Sequence, residues 1–224
     1  MIMFLDFETN GDRYNHRIVQ CSYIMIGDNG QIEEVYDEVV SQDNIEPFNT
    51  KLTKITQADL DDGIDEVTLA EHLFNVIAPE TVIVSHNCQF ELSKLFDLFN
   101  RHYGYNTAMN VLSQCNYLDT LTVMKDRKDY HYNVSTHSLQ DCIRFYSLED
   151  VQYHNSLYDV LALYKLFIAI VQQKDDLSSY LNLFGYNPKY PIYDKDKFDF
   201  VTYKAQYYLK DLDDSLKSLP LYRR

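Results

Sequence analysis

Residues 1–11 read MIMFLDFETNG. This stretch is apolar and strand-forming, and an almost continuous apolar run predicts a strand at the centre of a sheet. Two acids interrupt it, Asp6 and Glu8. Residues two apart on a strand project to the same side, so Asp6 and Glu8 point together while Leu5 and Phe7 face the other way. One reading is an exposed face with two solvated acids. On a central strand, however, two buried like charges are costly, and a divalent cation relieves their repulsion.

The neighbouring pattern builds a sheet outward from this strand. Residues 17–26, RIVQCSYIMI, predict a second strand. The turn 27–30, GDNG, follows, and 31–40, QIEEVYDEVV, predict a third. Close spacing and a glycine-rich turn favour an antiparallel meander. Helix and strand signals then alternate. They place a helix at Thr68–Ala78 with Thr68 as N-cap, a strand at Thr81–His86 and a helix at 89–103. A short strand in CNYLDT (115–120) runs into a helix near Leu121, and a helix follows in STHSLQDCIRFY (135–146). The strongest helix, 156–173, carries Leu157, Leu161, Tyr164 and Ile168 on one stripe. The predicted class is α/β, a mixed sheet flanked by helices. Residues 174–224 read as a less regular extension, broken by Pro188 and Pro191, with a short helix in 200–219.

Composition narrows the function. The chain has 224 residues and a formal net charge of −14. Broad electrostatic grip on duplex nucleic acid is therefore disfavoured, since neutralised phosphates drive such binding. An acidic protein can still act on phosphates when divalent cations stand between its carboxylates and the substrate. The four cysteines are widely separated and form no zinc or redox motif. With no signal-peptide pattern at the start and no stretch of about 20 apolar residues, a cytoplasmic protein without membrane association is expected.

Three further residues join the first pair. Glu91, in SHNCQFEL (85–92), lies just after a short strand, in the first turn of a helix. Asp159 interrupts the apolar helix of HNSLYDVLALYKLF (154–167), and His154 precedes it. Taken singly, each has an ordinary explanation: dipole complementation for Glu91, a solvated helix start for Asp159, a loop residue for His154. Together they make four acids in order, each at the end or start of a regular element, with one histidine before the last.

This constellation resembles the DEDDh 3′–5′ exonucleases of the ribonuclease H-like fold, including the epsilon-type proofreading subunits of bacterial DNA polymerase III. The resemblance rests on DFETNG (6–11), HNCQFE (86–91) and HNSLYD (154–159). LTKITQADL (52–60), YLDTLTV (117–123) and HSLQDCIRFY (137–146) support it. It spans roughly residues 2–171, which places an exonuclease domain at 1–173 and an extension at 174–224, packed on the domain or binding a partner.

The resemblance implies two Mg²⁺ or Mn²⁺ ions held by Asp6, Glu8, Glu91 and Asp159. Asp6 would bridge both ions and His154 would act as general base. Two-metal sites activate the attacking water and stabilise the leaving oxygen. The implied reaction releases nucleoside monophosphates from the 3′ end of single-stranded or frayed DNA, with a DNA polymerase as possible partner. RNA trimming and a catalytically weak interaction module are the alternatives. The family usually has Asp where this chain has Glu91, so the carboxylate is kept on a stem one methylene longer. For the substrate, the backbone at Thr9, Asn10 and Gly11 is expected to approach the terminal nucleotide closely, since Gly11 has no side chain to block it. Leu52 or Ile55 would wedge against the last base, with Asn87 and Phe90 nearby. Core packing is the competing role for Leu52, Ile55 and Phe90.

Overall fold

The structure, a computed structural model, describes residues 1–11, 16–126, 136–148, 155–173, 177–188 and 197–206. Strands β1 (Ile2–Thr9), β2 (Ile18–Ile26), β3 (Ile32–Val39), β4 (Val82–Ser85) and β5 (Asn116–Asp119) form one mixed sheet in the order β3-β2-β1-β4-β5. The first three strands are the expected antiparallel meander, and β4 and β5 run parallel to β1. β1 is central, and all nine residues of β2 are buried. β1 and β2 are covered on both faces, which is why they read as nearly continuous apolar runs, whereas the edge strand β3 is largely exposed.

One face of the sheet carries Met3, Leu5 and Phe7. They pack against α3 (Glu66–Val76), α4 (Cys88–Tyr103) and α5 (Tyr105–Leu112). The other face carries Phe4, Ile24, Val84 and Leu118. These pack under α6 (Thr120–Asp126), α7 (Leu139–Phe145) and α8 (Ser156–Gln173). Phe4 meets Tyr164 and Phe167 of α8 edge-on. Two short helices, α1 (Pro47–Thr53) and α2 (Gln57–Asp61), lie between β3 and α3 in the chain.

Several expectations change. α3 starts at Glu66 because Asp65, not Thr68, is the N-cap; its carboxylate accepts the Thr68 N–H. The buried stripe of α8 runs through Val160, Leu163, Leu166 and Ile170, whereas Ile168 is exposed. That helix is apolar on most sides, so several stripes compete in the sequence and only packing selects one. Helix α5 has no counterpart among the expected elements; Gly104, at φ +82°, breaks the helical run and lets the chain restart.

The expected helix within 200–219 gives way, in its described part, to strand β7 (Thr202–Ala205), which pairs with β6 (Leu183–Tyr186). This pair docks on the domain. Phe184, Phe198 and Val201 enter the core. The Tyr117 carbonyl accepts the Asn182 N–H at 2.8 Å, and the Asn182 side chain accepts the Tyr117 N–H at 2.8 Å, covering the edge of β5.

Candidate active site

The site forms at the carboxyl ends of the parallel neighbours β1 and β4, where β4 stops at Ser85 and β1 runs on through Asp6 and Glu8. Ligand sites of open α/β sheets gather outside the carboxyl ends of such strands. Asp6 and Glu8 follow Phe4 onto the face beneath α8, as alternation requires. The register sets Asp6 opposite Ser22 and Glu8 opposite Gln20. Asp159, in the first turn of α8, completes a trio. One carboxylate oxygen each from Asp6, Glu8 and Asp159 lies within 4.8 Å of the others.

A polar relay fixes α8 over this trio. Ser22 donates to Asp37 at 2.5 Å, and the Gln20 amide donates to the same oxygen at 2.8 Å. The Ser22 hydroxyl also meets that of Ser156, and the Gln20 side chain accepts the Ser156 N–H at 3.3 Å. The start of α8 is thereby bonded to the strand that faces both acids of β1.

Glu91 arrives from the other layer. α4 begins at Asn87, held in the left-handed region at φ +88°, with no cap from its own side chain. The cap comes from Asp119 at the end of β5. Asp119 is buried and accepts the N–H groups of Asn87 at 2.9 Å, Cys88 at 3.2 Å and Leu121 at 3.1 Å, plus the Thr122 hydroxyl at 2.5 Å. One carboxylate thus serves two helix starts, and one of them aims Glu91. The sequence offered only the DTLT run at 119–122 as a signal for this role.

The electrostatics are those of crowded acids. Burial pushes the Asp6 carboxyl well above the usual range, and Glu91, Asp159 and Glu8 add to the rise. Glu8 is pushed up to about 7 by burial and then by Asp159. Glu91 rises chiefly by burial, with Asp119 and Glu8 contributing. Glu91 is 4% exposed, and its Oε2 is buried with no hydrogen-bond partner. Such an orphaned acceptor is costly unless something positive is supplied to it. Oxygen-only donors around that deficit fit a hard divalent cation such as Mg²⁺ or Mn²⁺.

The remaining expected residues are placed as follows. His154 lies outside the described residues. Thr9 and Asn10 are buried, and their backbone is engaged internally. The Thr9 carbonyl accepts the Asn49 amide at 2.8 Å; Asn10 donates to the Arg17 carbonyl at 3.0 Å and accepts the Glu46 N–H at 2.8 Å. Gly11 sits at φ +76°, and a Cβ there would collide with the Asn49 side chain, so glycine makes room for a protein group. Ile55 is buried with Val19 and Leu60, while Leu52 is half-buried. Phe90 is half-buried, its ring centroid 6.0 Å from that of His16, whose Nε2 lies 2.7 Å from the Thr9 hydroxyl.

A family model of exonucleases, RNase T, matches residues 3–167, the span that contains every residue of this constellation. The chain belongs to this exonuclease family. Among curated proteins none matches the chain.

Solved structures share the fold. E. coli exonuclease I, in complex with a dT13 oligonucleotide, superposes with a TM-score of 0.68 at 18% identity, over 80% of this chain and 42% of that one. Exonuclease X, in complex with 5′ overhanging duplex DNA, gives 0.56 at 20% identity over 80% and 96%. Cell-death related nuclease 4 gives 0.58 at 15% identity over 77% and 64%. The chain thus spans less than half the length of exonuclease I. Its ribonuclease H-like sheet and flanking helices are those of these nucleases. No helix among the described residues is long and apolar enough to cross a membrane.

Proposed function

We propose that this exonuclease degrades single-stranded or frayed DNA from the 3′ end by metal-dependent hydrolysis, releasing nucleoside monophosphates. The observation that carries the reading is the convergence of Asp6, Glu8 and Asp159 within 4.8 Å, beside the buried, partnerless oxygen of Glu91. Asp6, Glu8, Glu91 and Asp159 would hold two Mg²⁺ or Mn²⁺ ions. When bound, the ions supply charge for activating water and stabilising the leaving oxygen. Asp6, whose carboxyl is raised by burial and by all three other acids, would be a ligand at the centre of this charge. His154 takes the proton of the attacking water, a task suited to a group titrating near neutrality. Asp119 and the Ser22–Ser156 contact position Glu91 and Asp159 without touching substrate. An unpaired end is preferred because a duplex end would have to fray to bring its terminal phosphate to the half-buried acids. A polymerase partner, as in proofreading, would supply the grip on DNA that an acidic surface lacks.

The test is a degradation assay. Single strands of DNA and of RNA, labelled at the 5′ end, are incubated with the protein and Mg²⁺ or Mn²⁺. A ladder shortening from the 3′ end, abolished by EDTA and by Asp6→Asn, is expected, with DNA cut faster than RNA. Faster cutting of RNA would reassign the substrate. Absence of cleavage of both polymers with both metals would overturn the reading.

A further inference from the structure

Phe48 is 71% exposed, more than any other large apolar side chain among the described residues. Its fold role does not explain this. Helix α1 turns Asn49 and Thr53 inward, where Asn49 binds the Thr9 carbonyl and Thr53 is buried. Phe48 faces solvent, with half-buried Leu52 one turn along on its side.

The helix that carries Phe48 also differs in charge from the chain as a whole, with one exposed acid, Glu46, at its start. Residues 47–54, PFNTKLTK, contain two lysines and no acid, in a chain of net charge −14. Lys51 and Lys54 are both exposed. Lys54, in the left-handed conformation that ends the helix, bonds its ammonium to the Lys51 carbonyl at 2.7 Å, which holds positive charge at that end.

The helix is clamped at a telling place. Glu46 donates to the Asn10 carbonyl, Asn49 donates to the Thr9 carbonyl, and Gly11 is shaped to admit Asn49. These partners directly follow Glu8 in the chain. An exposed aromatic ring, two cations and a rigid tie to the acidic site are the elements of single-strand recognition. Bases stack on aromatic faces whatever their identity, and ammonium groups follow the phosphates.

We propose that the outer face of α1 is a docking surface for a single-stranded polynucleotide: Phe48 stacks on a base beside the terminal nucleotide, and Lys51 meets a backbone phosphate. The proposal rests on the exonuclease reading of Asp6, Glu8, Glu91 and Asp159, and it adds a recognition element outside that cluster.

The chain contains no tryptophan, so Phe48→Trp introduces a single reporter. The full chain carrying this change and Asp6→Asn, which prevents cutting, is titrated with oligothymidylate in Mg²⁺. Trp emission is expected to be quenched and to saturate with the binding isotherm read by anisotropy. Phe48→Ala is expected to weaken binding about 5- to 100-fold, to raise KM more than it lowers kcat, and to be rescued by Phe48→Tyr. Lys51→Gln is expected to lower the salt dependence of binding by about one ion. Melting temperatures stay unchanged, because the side chains are exposed. Strand binding that leaves Trp emission unaltered, or Phe48→Ala binding equal to that of the unaltered chain, would overturn the proposal while leaving the exonuclease reading intact. Failure of the unaltered chain either to cut or to bind any strand would overturn the reading beneath it.

Discussion

The hydroxyls of Ser22 and Ser156 meet at 2.5 Å, across 134 positions of sequence, and both side chains are fully buried. Ser22 stands opposite Asp6 in the sheet, and Ser156 opens the turn that carries Asp159. This contact therefore sets the spacing of two acids that lie far apart in the chain. Ser156→Ala removes the contact but leaves Ser22 its bond to Asp37, so the expected stability loss is only about 1 kcal/mol. Metal binding should suffer more. Calorimetric titration with Mn²⁺ is expected to show a several-fold weaker site, while the melting temperature falls by a few degrees.

Crowded acids make the stability of the metal-free protein depend on pH in an unusual direction. The Glu8 carboxyl is raised from 4.5 to about 7 in the folded chain, so the folded state holds its proton more tightly than the unfolded state does. The stabilisation this group contributes is fully present below about pH 4.5 and is lost as pH rises through 7. In EDTA, Glu8→Gln should melt close to the unaltered chain at pH 5 and a few degrees above it at pH 8. A gap that does not change with pH would mean that Glu8 is not desolvated. Added Mn²⁺ should reverse the order at pH 8 by favouring the ionised carboxylate.

Asp6 extends this conflict between folding and chemistry. Its carboxyl is raised by burial and by three neighbouring acids. Asp6→Asn removes the charge and keeps the shape, so it should raise the melting temperature in EDTA at pH 8. The same change should abolish cleavage and the stabilisation by Mn²⁺. Thermal scans with and without metal read both effects.

Glu91 should behave differently from the acids of β1. Its Oε2 is buried without a partner, and its helix start is fixed by Asp119. Glu91→Gln should stabilise the metal-free fold and cut activity by at least 10-fold. Glu91→Asp keeps the charge on a shorter stem and should retain most of the rate or raise it. A large loss with Glu91→Asp would show that the site is built around the longer side chain.

Asp119→Ala leaves the N–H groups of Asn87, Cys88 and Leu121 without their acceptor and the Thr122 hydroxyl without its own. The expected loss of stability is on the order of 3 kcal/mol. Asp119→Asn retains one acceptor oxygen and should recover part of that stability. Cleavage should fall in both, in step with the drift of Glu91. Urea titration and metal-dependent rates separate the two effects.

The sequence announced those parts of the candidate site that follow a periodic rule. Asp6 and Glu8 were legible because strand alternation sends them to one side, and Asp159 because a charge stands out in an apolar helix. The meander was legible because β1 and β2 are buried on both faces and joined by a short path. Asp119 and the Ser22–Asp37–Ser156 relay followed no such rule. Asp119 acts on backbone groups 31 and 32 positions away, and polar residues on a strand carry no sign of what crosses above them. Packing also chose among equivalent sequence options, as with the buried stripe of α8 and the Asp65 cap of α3. Ile55 and Leu52 share one apolar segment, and only the fold separates a core residue from a rim residue.

The β6–β7 pair has a consequence for reading variation in this protein. Gly185 donates to the Thr122 hydroxyl at 2.6 Å, and that hydroxyl donates to Asp119, which caps the helix of Glu91. A residue beyond the family span thus stands two hydrogen bonds from the cap of an acidic-site helix. Gly185 also leaves no space for a Cβ beside Gln206 and Thr122. Heritable changes near Gly185 should therefore be judged together with those at Thr122 and Asp119, and a comparison cut at the family boundary would leave Gly185 out.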